Sequence, residues 1–189
     1  MKIAEWNERY RAREQAGDFE AAPTPLVIET AAHLRPGRAL DLACGTGRDS
    51  LWLAARGWSI TAVDGSEAAI AALCLKADQL GMKVDARVAD LTGPEFSVQE
   101  RHWDLVMMCY YLQRDLFDVA KNGVTPGGIV LAVVHTTGPG EEPTGSRLRP
   151  GELTAYFDGW PILHRYEGAS RDPAHRRPVA EIVARRPLD

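Results

Sequence analysis

The segment Leu40-Asp41-Leu42-Ala43-Cys44-Gly45-Thr46-Gly47 runs from a short apolar stretch straight into a glycine turn. Behind the turn, Asp49–Arg56 reads as a helix: Leu51, Ala54, Ala55 and Trp58 fall at i, i+3, i+4 and i+7, and Gly57 is able to close it. Strand, tight turn and helix in that order leave few solutions, because the next strand must return parallel through a crossover. The unit repeats. Ser59–Asp64 reads as a second strand, Ser66–Leu80 as an alanine-rich helix capped by Ser66 and stopped by Gly81, and Val84–Ala89 as a third strand. Trp103–Cys109 and Gly128–Val134 add a fourth and a fifth, with an amphipathic helix over Arg114–Asn122 between them. The near-continuous apolar character of Leu105–Cys109 and Ile129–Val134 suits strands covered on both faces. The expected core is an α/β, Rossmann-like, doubly wound parallel sheet.

Two helices are expected before this core, at Glu5–Gln15 and Pro25–His33, the second with Thr24 as N-cap and Pro25 at its first position. After it, Gly138–Gly145 has little to bury and reads as a long mobile loop. A short helix at Gly151–Phe157 and strands at Ile162–Glu167 and Val179–Arg185 close the chain. With no helix between them, those last strands are expected as an antiparallel hairpin at the edge of a seven-stranded, mostly parallel sheet. A length of 189 residues with 45% hydrophobic residues fits one domain, 1–189, whose first 35 residues are helical and either dock on the sheet or cover the site as a lid.

A net charge of −4 provides no global positive field for nucleic acid or a membrane surface, so a small diffusible substrate is the expected partner, taken by a monomer or a homodimer. Cys44, Cys74 and Cys109 lie far apart, with no C-x-x-C pair and no histidine cluster, so neither a zinc site nor a disulfide framework is expected. Reduced thiols, an N-terminus without a signal-peptide core and the lack of a membrane-length apolar run point to the cytoplasm.

In an open α/β sheet the glycine turn lies at the carboxyl edge, where ligands bind, and Asp64, ending the second strand, can accept hydrogen bonds from both hydroxyls of a ribose. A dinucleotide fingerprint requires a third glycine, and Ser50 stands in its place. Asp41 also sits on the approach to the turn. A carboxylate there repels a pyrophosphate and suits a ligand carrying ammonium and sulfonium charges, which favours S-adenosylmethionine.

The chain resembles class I S-adenosylmethionine-dependent methyltransferases, and from Trp6 onward it is similar to the small tellurite-resistance-type and thiopurine-type members. Asp41-Leu42-Ala43-Cys44-Gly45-Thr46-Gly47 matches their first motif, Val63-Asp64 their ribose-binding acid, and Val88-Ala89-Asp90-Leu91 the motif that contacts adenine. Tyr111–Phe117 and Arg149–Leu153 also resemble small bacterial members. The resemblance implies that Asp41, Ala43, Gly45, Gly47, Arg48, Asp64, Gly65, Ala89, Asp90, Leu91 and Cys109 surround the cofactor: Asp41 and Gly45 beside the methionine moiety, Asp64 on the ribose, Asp90 on the adenine amine. Arg48 either adds a cofactor contact or stands as a surface charge. Asp64 alternatively caps the helix at Ser66, and Asp90 alternatively is a solvated turn residue.

The fourth strand delivers Cys109, Tyr110 and Tyr111 to where a methyl group would be presented. Cys109 is either a ligand for a soft element or a small buried hydrophobe. His135 ends the fifth strand where a general base would sit, or else shapes the pocket; Tyr110 is the other candidate catalytic group, and either tyrosine alternatively forms wall or core. Related enzymes carry Glu-Thr-Phe near this point, and Val134-His135-Thr136-Thr137 departs from them. His33, His102, His164 and His175 read as ordinary surface residues. Trp6 and Tyr10 form an aromatic stripe one helical turn apart. With Tyr111, Arg114, Arg147 and Arg149 they make up the expected substrate side, the arginines either attracting an anionic acceptor or forming surface salt bridges. The expected activity is methyl transfer from S-adenosylmethionine to a small soft or anionic acceptor, releasing S-adenosylhomocysteine. The alternatives are an RNA or protein methyltransferase, resting on the basic tail of Arg171, His175, Arg176, Arg177, Arg185 and Arg186, and a binding module without catalysis.

Overall fold

Side-chain alternation along the central strands builds two apolar layers, one on each face of a single sheet. The computed structural model describes residues 2–15, 22–93, 96–138 and 140–188. Its elements are α1 (Ile3–Gln15), α2 (Pro25–Ala31), β1 (Arg38–Leu42), α3 (Arg48–Ala54), β2 (Ser59–Asp64), α4 (Glu67–Gln79), β3 (Asp85–Val88), β4 (Trp103–Cys109), α5 (Leu116–Gly123), β5 (Val124–His135), α6 (Glu152–Ala155), β6 (Ile162–Gly168) and β7 (Val179–Arg185). Leu40, Leu42, Val106, Met108, Val130 and Ala132 pack toward Leu116 and Phe117 of α5 and toward Phe157. Their neighbours Ala39, Leu105, Met107, Ile129 and Leu131 face Leu26 and Val27 of α2, Leu53 of α3 and Leu73 of α4. Burial on both faces explains the unbroken apolar runs.

The sheet order is β3-β2-β1-β4-β5-β7-β6. Strands β1 to β5 run parallel, and β7 pairs antiparallel with both β5 and β6. The order reverses direction between β1 and β4, so a crevice opens at their carboxyl ends. The expected mostly parallel sheet with an antiparallel edge hairpin is therefore present, and within the hairpin β7 is the inner strand. Its Glu181 is only 4% exposed, accepting hydrogen bonds from Arg171 at 2.7 Å and lying 3.0 Å from His164 Nε2.

Several boundaries and local roles differ from expectation. β5 begins at Val124, four residues before the expected start, and α6 covers only Glu152–Ala155. Ser66 caps α4 as expected, accepting from the Ala69 amide at 3.2 Å. Thr24 does not cap α2 with its side chain; it donates from its hydroxyl to Asp49 Oδ2 at 2.7 Å and from its amide to Asp49 Oδ1 at 2.6 Å, because a buried carboxylate outcompetes a short helix's amides. The loop at Gly138–Gly145 carries local contacts: Gly138 donates to Glu141, Arg147 pairs with Glu141, and Thr144 forms an isolated β-bridge with Arg147. Pro139 of that loop lies outside the described residues. No helix among the described residues is long and apolar enough to cross a membrane.

Candidate functional site

The turn after β1 puts three residues at alternate positions into the left-handed region: Ala43 (φ 59°), Gly45 (φ 55°) and Gly47 (φ 77°). At two of them a side chain would have to displace a neighbour. A Cβ on Gly47 would lie 2.2 Å from Leu73 Cδ1, and one on Gly45 would lie 2.7 Å from the Tyr10 hydroxyl. Gly47 thus lets α3 approach α4, and Gly45 lets α1 come down over the turn. Ala43 carries its Cβ in the same region, a strain of about 1–3 kcal/mol that the surrounding packing must hold.

Asp41, on the α3 face of β1, is 3% exposed and accepts a hydrogen bond from the Ser50 hydroxyl at 2.6 Å. Ser50 stands where a dinucleotide fold has glycine, and here it anchors the carboxyl group of the turn. Burial raises Asp41 well above the usual carboxylate range, and the nearby Asp49 and Asp64 push the same way. Asp64 closes β2 with both oxygens engaged: Gly45 donates its amide to Oδ2 and Ser66 its amide to Oδ1, each at 2.8 Å. Burial raises this carboxyl group, opposed by those two amides. A carboxylate has about four acceptor directions, so two remain for a ligand. Asp90 is exposed and forms a local turn, accepting from the amide of Thr92 at 2.9 Å and its hydroxyl at 2.6 Å; those bonds hold its carboxyl group low.

Asp41, Asp64 and Asp90 nevertheless line one cleft of about 700 Å³, together with Ala43, Gly45, Arg48, Gly65, Leu91 and Cys109. Of the expected cofactor residues, Gly47 and Ala89 do not line it. Gly47 works through its fit on Leu73, and Ala89 donates its amide to the Asp64 carbonyl at 3.0 Å, fixing the strand tip.

Helix α1 roofs this cleft. Trp6 and Tyr10 stack at 5.9 Å between centroids, Arg9 sits 4.9 Å over the Trp6 ring, and all three line the cavity with Lys2 and Arg13. Burial raises the Tyr10 phenol, with Asp64 and Cys44 adding to the push, so it remains protonated. Asn7 fixes the roof: its Oδ1 accepts from the Ser66 hydroxyl at 2.7 Å and the Ala68 amide at 3.1 Å, capping α4 from another helix. Sequence reasoning missed Asn7, since a cap supplied from so far along the chain leaves no local pattern.

The other end of the cleft begins at Tyr110, a non-glycine residue at φ 60°. Its ring stacks face to face on His175, with centroids 3.4 Å apart and an interplanar angle of 1°. Arg48 lies 5.3 Å over the same ring. His175, expected as a surface residue, lines the cleft, because the segment between β6 and β7 folds back across the sheet edge. Burial pushes its imidazole down to about 4. His135 is not among the cleft-lining residues; its ring lies behind, 5.5 Å from Tyr110 and 5.2 Å from His175. Its Nδ1 is buried without a hydrogen-bond partner among the described residues, and burial lowers it too. Cys109 and Cys44 both line the cleft with thiols that burial raises, chiefly neutral at pH 7. His164, also expected at the surface, is half-buried and faces Glu181.

Tyr111 reaches the cleft and donates its hydroxyl to Gln113 at 2.9 Å; Gln113 in turn donates to the Leu91 carbonyl at 2.8 Å. The three arginines expected on the substrate side do not reach the cavity. Arg114 pairs with Glu152 at 2.7 Å, Arg147 pairs with Glu141, and Arg149 donates its amide to Glu152 at 2.9 Å. Glu152 and Glu141 hold the Arg114 and Arg147 side chains, and the cleft is lined instead by Lys2 just before α1, Arg9 and Arg13 of α1, and Arg48 of α3. No group of three or more potential metal ligands gathers among the described residues. The site thus combines an acidic floor beneath β1–β3 with an aromatic and basic roof.

A family model described as Tellurite resistance protein TehB matches residues 17–174. A relative from Haemophilus influenzae, named as a probable S-adenosyl-L-methionine-dependent methyltransferase TehB, is 27% identical over 150 residues, 75% of this chain and 52% of that protein. The chain spans about half the length of the relatives it matches in this way. Among solved structures, TehB from Haemophilus influenzae superposes with a TM-score of 0.77 at 24% identity, covering 92% of this chain and 66% of that one. The 1,6-didemethyltoxoflavin-N1-methyltransferase from Burkholderia thailandensis, solved with 1,6-didemethyltoxoflavin and S-adenosylhomocysteine, gives 0.73 at 19% identity, covering 98% and 87%.

Proposed function

The chain belongs to the Tellurite resistance protein TehB family, and on that premise we propose that it is an S-adenosylmethionine-dependent methyltransferase whose acceptor is a small soft or anionic nucleophile. One observation carries the reading: carboxylates from the tips of three adjacent strands share a single cleft whose far end is lined by Tyr110 and His175. The donor and acceptor set fits the cofactor. Asp64 keeps acceptor directions for ribose hydroxyls, Asp90 has one for an exocyclic amine, and the acidic floor suits ammonium and sulfonium where it would repel a pyrophosphate.

S-adenosylmethionine, when bound, supplies a methyl carbon already activated by a positive sulfur, so alignment is the chain's main contribution. Asp64 and the glycine turn hold the ribose end, Asp90 and Leu91 the base, and Asp41 and Gly45 border the methionine. Trp6 and Tyr10 exclude water from above. The imidazoles support this acceptor class. His175, pushed down to about 4, is uncharged at pH 7 and only weakly basic, and burial weakens His135 as a base as well. Acceptors that arrive without a proton to lose fit this site better than amines or alcohols, which need a competent base. Lys2, Arg9 and Arg13 supply positive charge near the same cavity.

Calorimetry is expected to give saturable binding of S-adenosylmethionine and none of NAD. S-adenosylhomocysteine is expected to accumulate with at least one member of a panel of thiols, selenite, tellurite, arsenite and small phenols. Binding without turnover of any acceptor would replace the enzyme by a binding module, and preference for NAD would remove the reading altogether.

A further inference from the structure

The segment between β6 and β7 reaches the cleft through adjacent residues that grip opposite sides. Arg171 Nη1 lies 2.6 Å from Glu29 and Nη2 2.7 Å from the buried Glu181, so one side chain ties the segment to the region of α2 and to β7. Asp172, 4% exposed, faces the other way, with Oδ2 2.8 Å from Arg48 Nη2 and Oδ1 accepting from the Ala174 amide at 2.9 Å. Arg48 is itself locked: it donates to the Ala22 carbonyl at 3.1 Å and to the Thr24 hydroxyl at 3.0 Å, and Thr24 is held by Asp49. The next side chain after Ala174 is His175, flat against Tyr110.

We propose that Arg48 and Asp172 are positioning residues, an ion pair that fixes the His175 imidazole on the Tyr110 ring and so couples the acceptor end of the cleft to the helix that follows the glycine turn. The functional meaning rests on the methyltransferase reading; the coupling itself does not. Arg48 is therefore neither a plain surface charge nor chiefly a cofactor ligand. An ion pair with one member 4% exposed is screened little by solvent.

The charged and titratable groups acting on His175 are Asp172, which raises it, and Arg48, His135 and Arg13, which lower it together with burial. This gives a test whose sign separates positioning from plain electrostatics. In the wild-type chain, histidine-resolved NMR is expected to show His175 ring protons shifted upfield by the Tyr110 face and an imidazole titrating near 4. In Asp172→Asn, release of the segment rehydrates the ring, so the upfield shift collapses and the titration moves up toward the free value. If Asp172 acts only as a charge, the stack stays and the titration moves further down, and the proposal is overturned. Thr24→Val removes one anchor of Arg48 without changing charge and is expected to move His175 in the same upward direction, while Asp172→Glu restores the stack. Unchanged His175 signals in both Asp172→Asn and Thr24→Val overturn the proposal. Calorimetry on the same samples keeps the two ideas apart: absence of S-adenosylmethionine binding in the wild type defeats the methyltransferase reading, whatever the ring stack does.

Discussion

The two ends of the cleft are built in different ways. The acidic end comes from one stretch of chain, β1 to β3 and the residues just after it, with each carboxylate braced by groups of that same stretch: Asp41 by Ser50, Asp64 by Gly45 and Ser66, Asp90 by Thr92. The aromatic end gathers α1, the tip of β4 and the segment after β6, whose residues meet only through the tertiary fold. The first kind of site is rigid by local geometry, and the second depends on tethers such as Asn7, Asp172 and Arg171. Substitutions at the acidic end are therefore expected to act on stability and cofactor affinity, and those at the aromatic end on the acceptor and on pH response.

The largest effect is expected from Gly47→Ala. A left-handed backbone costs a side chain about 1–2 kcal/mol, and forcing a methyl into the space of Leu73 Cδ1 adds about 1–3 kcal/mol. Urea unfolding should show a loss of about 2–5 kcal/mol; a loss below about 0.5 kcal/mol would mean that the turn is not the rigid unit described. Asp64→Ala comes next. Removing a charged acceptor worth about 1.5–3 kcal/mol should weaken S-adenosylmethionine binding by about tenfold to a hundredfold by calorimetry. Equal binding in the variant would leave Asp64 as a brace for Gly45 and Ser66 alone.

A smaller, directional effect belongs to the aromatic end. The unfolded chain protonates His175 near 6.5 and the folded chain only near 4. Between those values the unfolded state binds more protons, so this residue's contribution to stability is present above the upper value and is lost as pH falls through the window. The buried acids Asp41 and Asp64, raised by burial, work in the opposite direction. The clean measurement is therefore comparative: between about pH 7 and about pH 4.5, wild type should lose more stability than His175→Gln. An identical pH slope would place His175 in water. The smallest effects are expected for Arg114→Ala and Arg147→Ala. Both pairs are partly exposed, worth about 0–1 kcal/mol, and neither side chain lines the cleft. Turnover should change by less than about twofold, the 0.4 kcal/mol scale of a rim contact; a tenfold fall would bring the acceptor toward them.

Much of the sheet was legible because its signals are short-ranged. Trp103–Cys109 has the expected bounds, and Ser66 caps α4 from the position its residue type suggests. Asp41, Asp64 and Asp90 could be grouped because parallel strands bring their carboxyl ends to one edge. Thr24 holds the N-cap position of α2 as expected, but its side chain turns to Asp49, because a capping residue and a partner for a distant carboxylate have the same chemistry. Arg114 and Arg147 were expected either to attract an anion or to form surface salt bridges, and their side chains pair with Glu152 and Glu141, while the cations that line the cleft come from the N-terminal segment and α3.

By itself, then, the sequence determined the alternation of strands and helices, the glycine turn and the acids at the strand tips, since backbone geometry and side-chain periodicity act over a few residues. Only the tertiary structure decided that Asn7 caps α4, that β7 runs inside β6, and that His175 rather than His135 faces the cavity. Those outcomes depend on which distant groups win a competition for buried partners, and that competition is settled only when the whole chain has packed.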